Sequence, residues 1–394
     1  MTIWYITIKN IKSKPLYSAL SVISLALSIA LLLGIKQLET SFKNQIDHNL
    51  GHIDVVVGAK GSPLQLVLAS VLHLDNPTGN ISYEDAQQMA KNKSIKSAVP
   101  ISYGDNYKGF RIVGTTPKFT SIYNAKLDKG KLVEASKEVV LGASVAQQLQ
   151  LNIGDTFLSS HGLVENSIDV HSDELTVVGI LKPTQKVIDR LIITNLESIW
   201  EVHNHHDHNH NHHKEITSLL ITFKSPRALM TFPNRINKST NMQAALPKYE
   251  LTKLYDYTSV GFKTISWIAY VILLISCLTI FMSFYKMVKE RAYDLAILRT
   301  YGASNFQLIK MLILEALIVV SIAFTAGFLL VKLGLSTAMR AHPSMGPQHL
   351  LHALPLKDVL QLLALILTMV FISVVLAIYP LMKMNISKII SHEK

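Results

Sequence analysis

The chain has 394 residues, with 38 Lys and Arg against 27 Asp and Glu, and a single cysteine, Cys277. Charged residues make up only 16% and hydrophobic residues 49%, which excludes a disordered chain; one cysteine excludes a disulfide scaffold. The net charge of +11 would fit nucleic acid only if the basic residues gathered on one soluble face, and their placement points elsewhere.

Four stretches are apolar enough to cross a bilayer, which takes roughly 20 residues. They lie at 16–35, 263–285, 308–331 and 359–381. In lipid each must be a helix, because an unpaired backbone amide there costs several kcal/mol. The first stretch is longer than a signal-peptide core and runs into Lys36-Gln37-Leu38-Glu39 without a clear small-residue cleavage site, so it reads as a retained anchor. Lys9, Lys12 and Lys14 precede it. Lys286, Lys289, Arg291, Arg299 and Lys310 cluster between the second and third stretches, and Lys383, Lys388 and Lys394 follow the fourth. The loop between the third and fourth carries mainly Arg340, with Lys357 at its edge. By the positive-inside bias, residues 1–15, 286–307 and 382–394 are expected in the cytoplasm, and 36–262 and 332–358 outside it. The positive charge thus reads as topology, and no nucleic acid is expected.

Residues 36–262 are long enough for a core of their own. The insert opens and closes with helical spacing: Leu38, Phe42, Ile46 and Leu50 at one end, Leu251, Leu254 and Thr258 at the other. Glu39 and Lys43 form an i,i+4 pair on another face. These ends read as two stalk helices or as ordinary surface helices. Between them, strands are expected at 53–57, 111–114, 138–141, 175–180 and 219–223, all short, β-branched and bounded by Gly, Pro or Asp. Helices are expected at Tyr83–Lys91, capped by Ser82, and at Ser144–Leu151. The fold class is therefore a membrane protein: four transmembrane α-helices with a large mixed α/β extracytoplasmic domain inserted between helices 1 and 2.

No phosphate-binding loop occurs; Gly58-Ala59-Lys60-Gly61-Ser62 lacks the spacing. No nucleophile elbow or cofactor loop is present either, so the chain is not expected to be an enzyme. The loop after the second stretch runs from Lys286 to Ser304. In it Val288, Ala292, Leu295 and Leu298 share one helical face, and Gly302 sits where a helix would stop. Such a helix either lies in the headgroup layer or is a handle for a cytosolic partner.

The segment Arg291-x-x-Asp294-Leu295-Ala296-Ile297-Leu298-Arg299-x-x-Gly302-Ala303-Ser304 resembles the FtsX-like permease signature of the MacB/LolCDE class of ABC transporters. Lys9-Asn10-Ile11-Lys12-Ser13-Lys14, Val113-Gly114-Thr115-Thr116-Pro117, Lys129-Gly130, Val139-Val140-Leu141-Gly142 and Leu151-Asn152-Ile153-Gly154-Asp155 are similar to further family elements. Asp294 stands where the family has Glu, Tyr301 where an aliphatic residue is common, and the tail has Pro380 without a second proline. The resemblance implies a permease subunit in a bacterial inner membrane. Such a subunit pairs as a homodimer or heterodimer and couples to a separate cytoplasmic ATPase. It implies contact with that ATPase through Glu290, Arg291, Asp294, Leu295, Leu298, Arg299, Gly302 and Ala303. The 286–304 helix would be the lever, and 36–50 and 249–262 the rods. A lipoprotein, peptide, hydrophobic compound or metal-linked cargo would be moved or released, with membrane lipid and a periplasmic protein as further partners. The alternative is a transmembrane signal transmitter that activates a periplasmic partner and moves nothing.

Two features lie outside that pattern. Glu315 sits near the inner end of the third stretch, as a functional intramembrane acid or as one snorkelling to the interface. His203, His205, His206, His208, His210, His212 and His213 place seven of the sixteen histidines in eleven residues. Imidazoles at i,i+2 spacing suit Zn, with Asp207 as an oxygen ligand. The same tract also fits a low-complexity expansion, an adventitious metal tag or a pH-responsive patch. With no cysteines and no ordered spacing it is not a closed structural zinc site.

Overall fold

The computed structural model describes residue 9 and residues 15–160, 170–204, 214–290, 304–341 and 355–382. In chain order the elements are α1 (Pro15–Asn49), β1 (Val55–Ala59), α2 (Pro63–Ser70), β2 (Ile81–Ser82), α3 (Tyr83–Ala90), β3 (Ile95–Tyr107), β4 (Phe110–Thr115) and α4 (Lys118–Ile122). Then come β5 (Leu127–Gly130), β6 (Glu138–Leu141), α5 (Ala143–Leu149), β7 (Thr156–Ser160), β8 (Val170–Leu181), β9 (Leu191–Asn195), α6 (Leu196–Asn204), β10 (Glu215–Ile216) and β11 (Ser218–Phe223). The chain continues with α7 (Arg227–Ser239), β12 (Met242–Ala245), α8 (Pro247–Glu290), α9 (Asn305–Ala341) and α10 (Leu356–Met382). Two compact units result: residues 42–258, and residues 1–41 with 259–394.

The 42–258 unit is built on a mixed sheet in the order β12-β1-β11-β3-β4-β9-β6-β8-β5, with β7 joining β3 and β8. β4–β9 and β6–β8 are parallel, and the other pairs are antiparallel. Strand alternation divides its side chains between two cores. Val56, Val113, Val140, Ile193 and Leu220 point into one, which Ile46 of α1, Leu66 of α2, Phe119 of α4 and Leu251 of α8 complete. Val55, Val57, Leu219 and Ile221 point the other way, against Ala86 of α3 and Phe232 of α7. Ile112, Val139, Leu141 and Ile192 meet Val145 of α5 and Ile199 of α6. With both faces covered, the central strands need apolar residues at every position, which is why they read as continuous runs.

The five expected strands and both expected helices are present, and Ser82 caps α3 by accepting from the Asp85 amide at 3.4 Å. The two ends of the insert are tucked into the domain rather than standing clear of it. Ile46 and Leu251 are buried in its core, Phe42 stacks on Tyr255 at 6.3 Å, and the Val187 amide donates to Asn49 Oδ1 at 2.7 Å. Leu38 departs from its expected face and is 40% exposed. Glu39 accepts from Lys36 Nζ at 3.3 Å, one turn toward the N-terminus.

The other unit consists of helices long and apolar enough to cross a membrane, and each contains one of the four expected stretches. Along α8, Ala269, Leu273, Cys277, Ile280, Phe284 and Met287 are buried in the bundle at spacings of three and four. That spacing is a seam. Leu25, Ile29 and Leu32 of α1, Leu312, Ala316 and Val320 of α9, and Ile366, Val370 and Val374 of α10 face it. The opposite faces are also apolar: Leu20, Leu27, Leu274, Leu278 and Phe371 are exposed, and Trp267 is 72% exposed. Such an apolar outer surface suits the hydrocarbon of a bilayer.

Candidate functional site

The bundle brings together small and polar residues that composition alone does not single out. Ser276 of α8 lies 2.8 Å from Ser24 Oγ and 2.8 Å from Ser28 Oγ of α1, and it also donates to the Ser24 carbonyl at 3.1 Å. Gly327 of α9 meets the same helix; a Cβ there would lie 2.9 Å from the Ala26 carbonyl oxygen and 2.9 Å from Ile29 Cγ2. Small residues let helix backbones approach inside lipid, and interhelical hydroxyl bonds then fix their register. The signal in the sequence was the Ser24-x-x-x-Ser28 spacing, but its partner is some 250 positions away. Ser276→Ala is expected to lower the thermal stability of the bundle in detergent, by about 0.6–1.7 kcal/mol for the lost interhelical bonding.

Glu315 is 1% exposed in α9. It lies in the interior of the bundle and does not reach out to the interface, as snorkelling required.

Of the residues expected to contact an ATPase, Glu290 is the exposed last residue of α8. Arg291, Asp294, Leu295, Leu298, Arg299, Gly302 and Ala303 lie outside the described residues. Residues 286–290 continue α8 rather than opening a separate helix, and Val288 is buried in the bundle seam. At the far side of the segment, Ser304 and Gln307 cap α9 reciprocally. The Gln307 amide donates to Ser304 Oγ at 3.3 Å and the Ser304 amide to Gln307 Oε1 at 3.0 Å. That is a capping box, and Ser-Asn-Phe-Gln announces it in the sequence.

The α/β unit holds a buried polar cluster that the sequence reading missed. His73 is 7% exposed and adopts φ 54°, a left-handed conformation that non-glycine residues rarely take. Its Nδ1 lies 2.7 Å from Tyr103 Oη, and that hydroxyl donates its proton to the Ala69 carbonyl. A tautomer with the proton on Nδ1 fits that arrangement, and the buried Nε2 has no hydrogen-bond partner among the described residues. Burial drives the His73 pKa down to about 3, helped by the positive charges of Arg111 and Arg190. Burial likewise raises the pKa of Tyr103 and Tyr123. Nearby, buried Asp189 accepts from the Thr184 amide, the Thr184 hydroxyl and the Gln185 amide at 2.8–3.0 Å, clamping the turn ahead of β9. Glu138 accepts from the Ala135 and Glu134 amides and pairs with Lys131, and together these hold its carboxyl well below the usual range.

These clusters fix loops and helix ends. None assembles three metal-ligating side chains among the described residues. His203 falls within α6, and His205, His206, His208, His210, His212 and His213 lie outside the described residues.

Two family models match separate parts of the chain. A family model described as a MacB-like periplasmic core domain matches residues 18–238, and one described as an FtsX-like permease C-terminal region matches residues 266–386. No curated protein matches the chain. Among solved structures, the periplasmic region of MacB from Actinobacillus actinomycetemcomitans is similar at 11% identity and TM-score 0.37, over 54% of this chain and 97% of that one. The extracellular domain of the noncanonical ABC-type transporter YknZ from Gram-positive bacteria is similar at 10% identity and TM-score 0.32, over 48% of this chain and 98% of that one. At this level of similarity neither adds to the assignment, which rests on the two family models: the chain belongs to the FtsX/MacB-type permeases of ABC transporters.

Proposed function

We infer that the chain is the membrane subunit of an ATP-driven complex whose ATPase is a separate protein, and that it relays nucleotide-dependent motion to the α/β unit to move or release a substrate. The observation that carries this is the pairing of a periplasmic core domain with a permease region on one chain that has no phosphate-binding loop. Relay needs two global states that nucleotide biases differently. Residues 291–303, bounded by the end of α8 and the capped start of α9, are the handle for the ATPase, on the cytoplasmic side with both termini. The ends of α1 and α8 are the rods. Ile46 and Leu251 are seated in the α/β core, so a shift of either end must disturb the packing around it.

Leu295→Asp and Leu298→Asp are expected to abolish copurification of the ATPase while leaving membrane insertion intact. Unchanged ATPase binding by both variants overturns the handle. Reconstituted vesicles test the second half of the reading: ATP hydrolysis without any substrate redistribution overturns transport in favour of signal transmission.

A further inference from the structure

The helical unit contains a pocket of mixed character at one end of the bundle. It is lined by the polar Lys36, Ser266, Asp358 and Gln361 and by apolar residues such as Leu33 and Leu365, so α1, α8 and α10 all contribute. Its volume is about 270 Å³. That is just below the roughly 300–1,000 Å³ of pockets that hold whole small ligands, so it takes a headgroup and the first part of one chain.

The charges place the pocket at the hydrocarbon border. Lys36 is the first charged residue after the uncharged run 15–35, and Asp358 is the last before the run 359–381. Lys263 is the last before the apolar run of α8, three residues ahead of Ser266. This end of the bundle is the one remote from Glu290 and Asn305, where α8 stops and α9 starts. A site with both polar and apolar lining, at that depth, matches an amphiphile oriented like the bilayer's own lipids.

We propose that this pocket binds a bilayer phospholipid with a primary-amine headgroup. Lys36 supplies ammonium donors to the phosphate; its bond to Glu39 uses one of three. Asp358 accepts from the lipid amine. The Ser266 hydroxyl spends its proton on the Phe262 carbonyl at 2.8 Å, so toward the pocket it can only accept, again favouring an N–H donor. The two charges discriminate between headgroups. Phosphatidylcholine has no N–H for Asp358 or Ser266, and phosphatidylglycerol brings a negative charge with no amine to offset Asp358. The acyl chain continues over Leu33 and Leu365 into the hydrocarbon. This assignment does not depend on the ATPase reading or on which side of the membrane this end faces.

The test uses the full-length chain in nanodiscs of phosphatidylethanolamine, phosphatidylcholine or phosphatidylglycerol, returned to mild detergent, with retained lipid counted by native mass spectrometry. About one phosphatidylethanolamine per chain is expected, retained about fivefold more than either other lipid, the scale of one charged contact at a headgroup. Lys36→Gln and Asp358→Asn should each remove that preference, while Glu39→Gln keeps it. Leu365→Trp, which fills the apolar part, should cut retention of every lipid. Equal retention of the three headgroups by the wild-type chain, or unchanged retention in Asp358→Asn and Leu365→Trp together, overturns the proposal.

Discussion

Gly130→Ala is expected to destabilise the α/β unit by about 3–4 kcal/mol, while Gly109→Ala costs about 1–2 kcal/mol. The two glycines have nearly the same positive φ, 82° and 81°, so both positions carry a left-handed penalty for alanine. Their surroundings differ. Gly109 follows Lys108, φ 46°, in the two-residue turn joining β3 to β4, and a Cβ there meets nothing within 4 Å. Positive φ at both turn residues is what such hairpins need. At Gly130 the Cβ would lie 2.1 Å from the Val178 carbonyl oxygen and 2.8 Å from Gly179 Cα. Both atoms are backbone of the paired strand β8, so nothing yields without opening the β5–β8 ladder. The difference between the two variants therefore reports chiefly the steric exclusion at Gly130. Urea unfolding of the full chain in detergent, followed by proteolysis of the 42–258 unit, reads both. Equal losses would mean that β5 moves aside freely.

Much of the architecture was legible because its signals are local. Val139, Val140 and Leu141 are apolar in succession because both faces of β6 are covered, and the expected strand matches its bounds. Strand β3 was missed for the opposite reason. Its sequence carries Pro100, Gly104 and Asp105, which read as breakers, yet Pro100 sits in the middle of the sheet opposite Leu219. A register shift between Tyr103 and Asn106 absorbs the Gly104-Asp105 pair. Hydropathy located the apolar stretches but understated the helices. The run 16–35 is only part of α1, because residues 36–49 hold no Gly or Pro to stop it. In the same way α8 has 44 residues, about 66 Å at 1.5 Å per residue and roughly twice what hydrocarbon requires.

The sites were harder to read because their partners are remote in sequence. Ser276 looks like any small residue until α1 is placed beside it. Lys36 and Asp358 lie some 320 positions apart in the sequence and line one pocket only in three dimensions. The permease signature was legible from its own residues, and the match over 266–386 covers it, but its residues 291–303 gain no geometry from the described structure.

His73 is expected to make the α/β unit acid-sensitive by about 2 kcal/mol between pH 8 and pH 5. In the unfolded chain the imidazole takes up a proton near pH 6.5; in the folded chain it does so only near pH 3. Between those values the unfolded state binds more protons, so acidification favours unfolding. Stability is therefore full above pH 6.5 and falls steadily as pH drops toward 3. The groups facing the ring agree in sign: Arg111 lies 5.0 Å over the Tyr103 ring, Arg190 is close enough to lower the His73 pKa, and Tyr103 and Tyr123 stay neutral. Nothing there would welcome an imidazolium. His73→Asn keeps a residue type that tolerates φ near 54° while removing the titrating group. It is expected to lower stability at pH 8 through the lost bond to Tyr103, yet to flatten the slope between pH 8 and pH 5. Contributions from groups other than position 73 are common to both proteins and cancel in the difference. Parallel slopes for wild type and variant, measured by the same urea unfolding across that range, would show that His73 takes up its proton in the folded domain at the same pH as in the unfolded chain, and would overturn the burial argument.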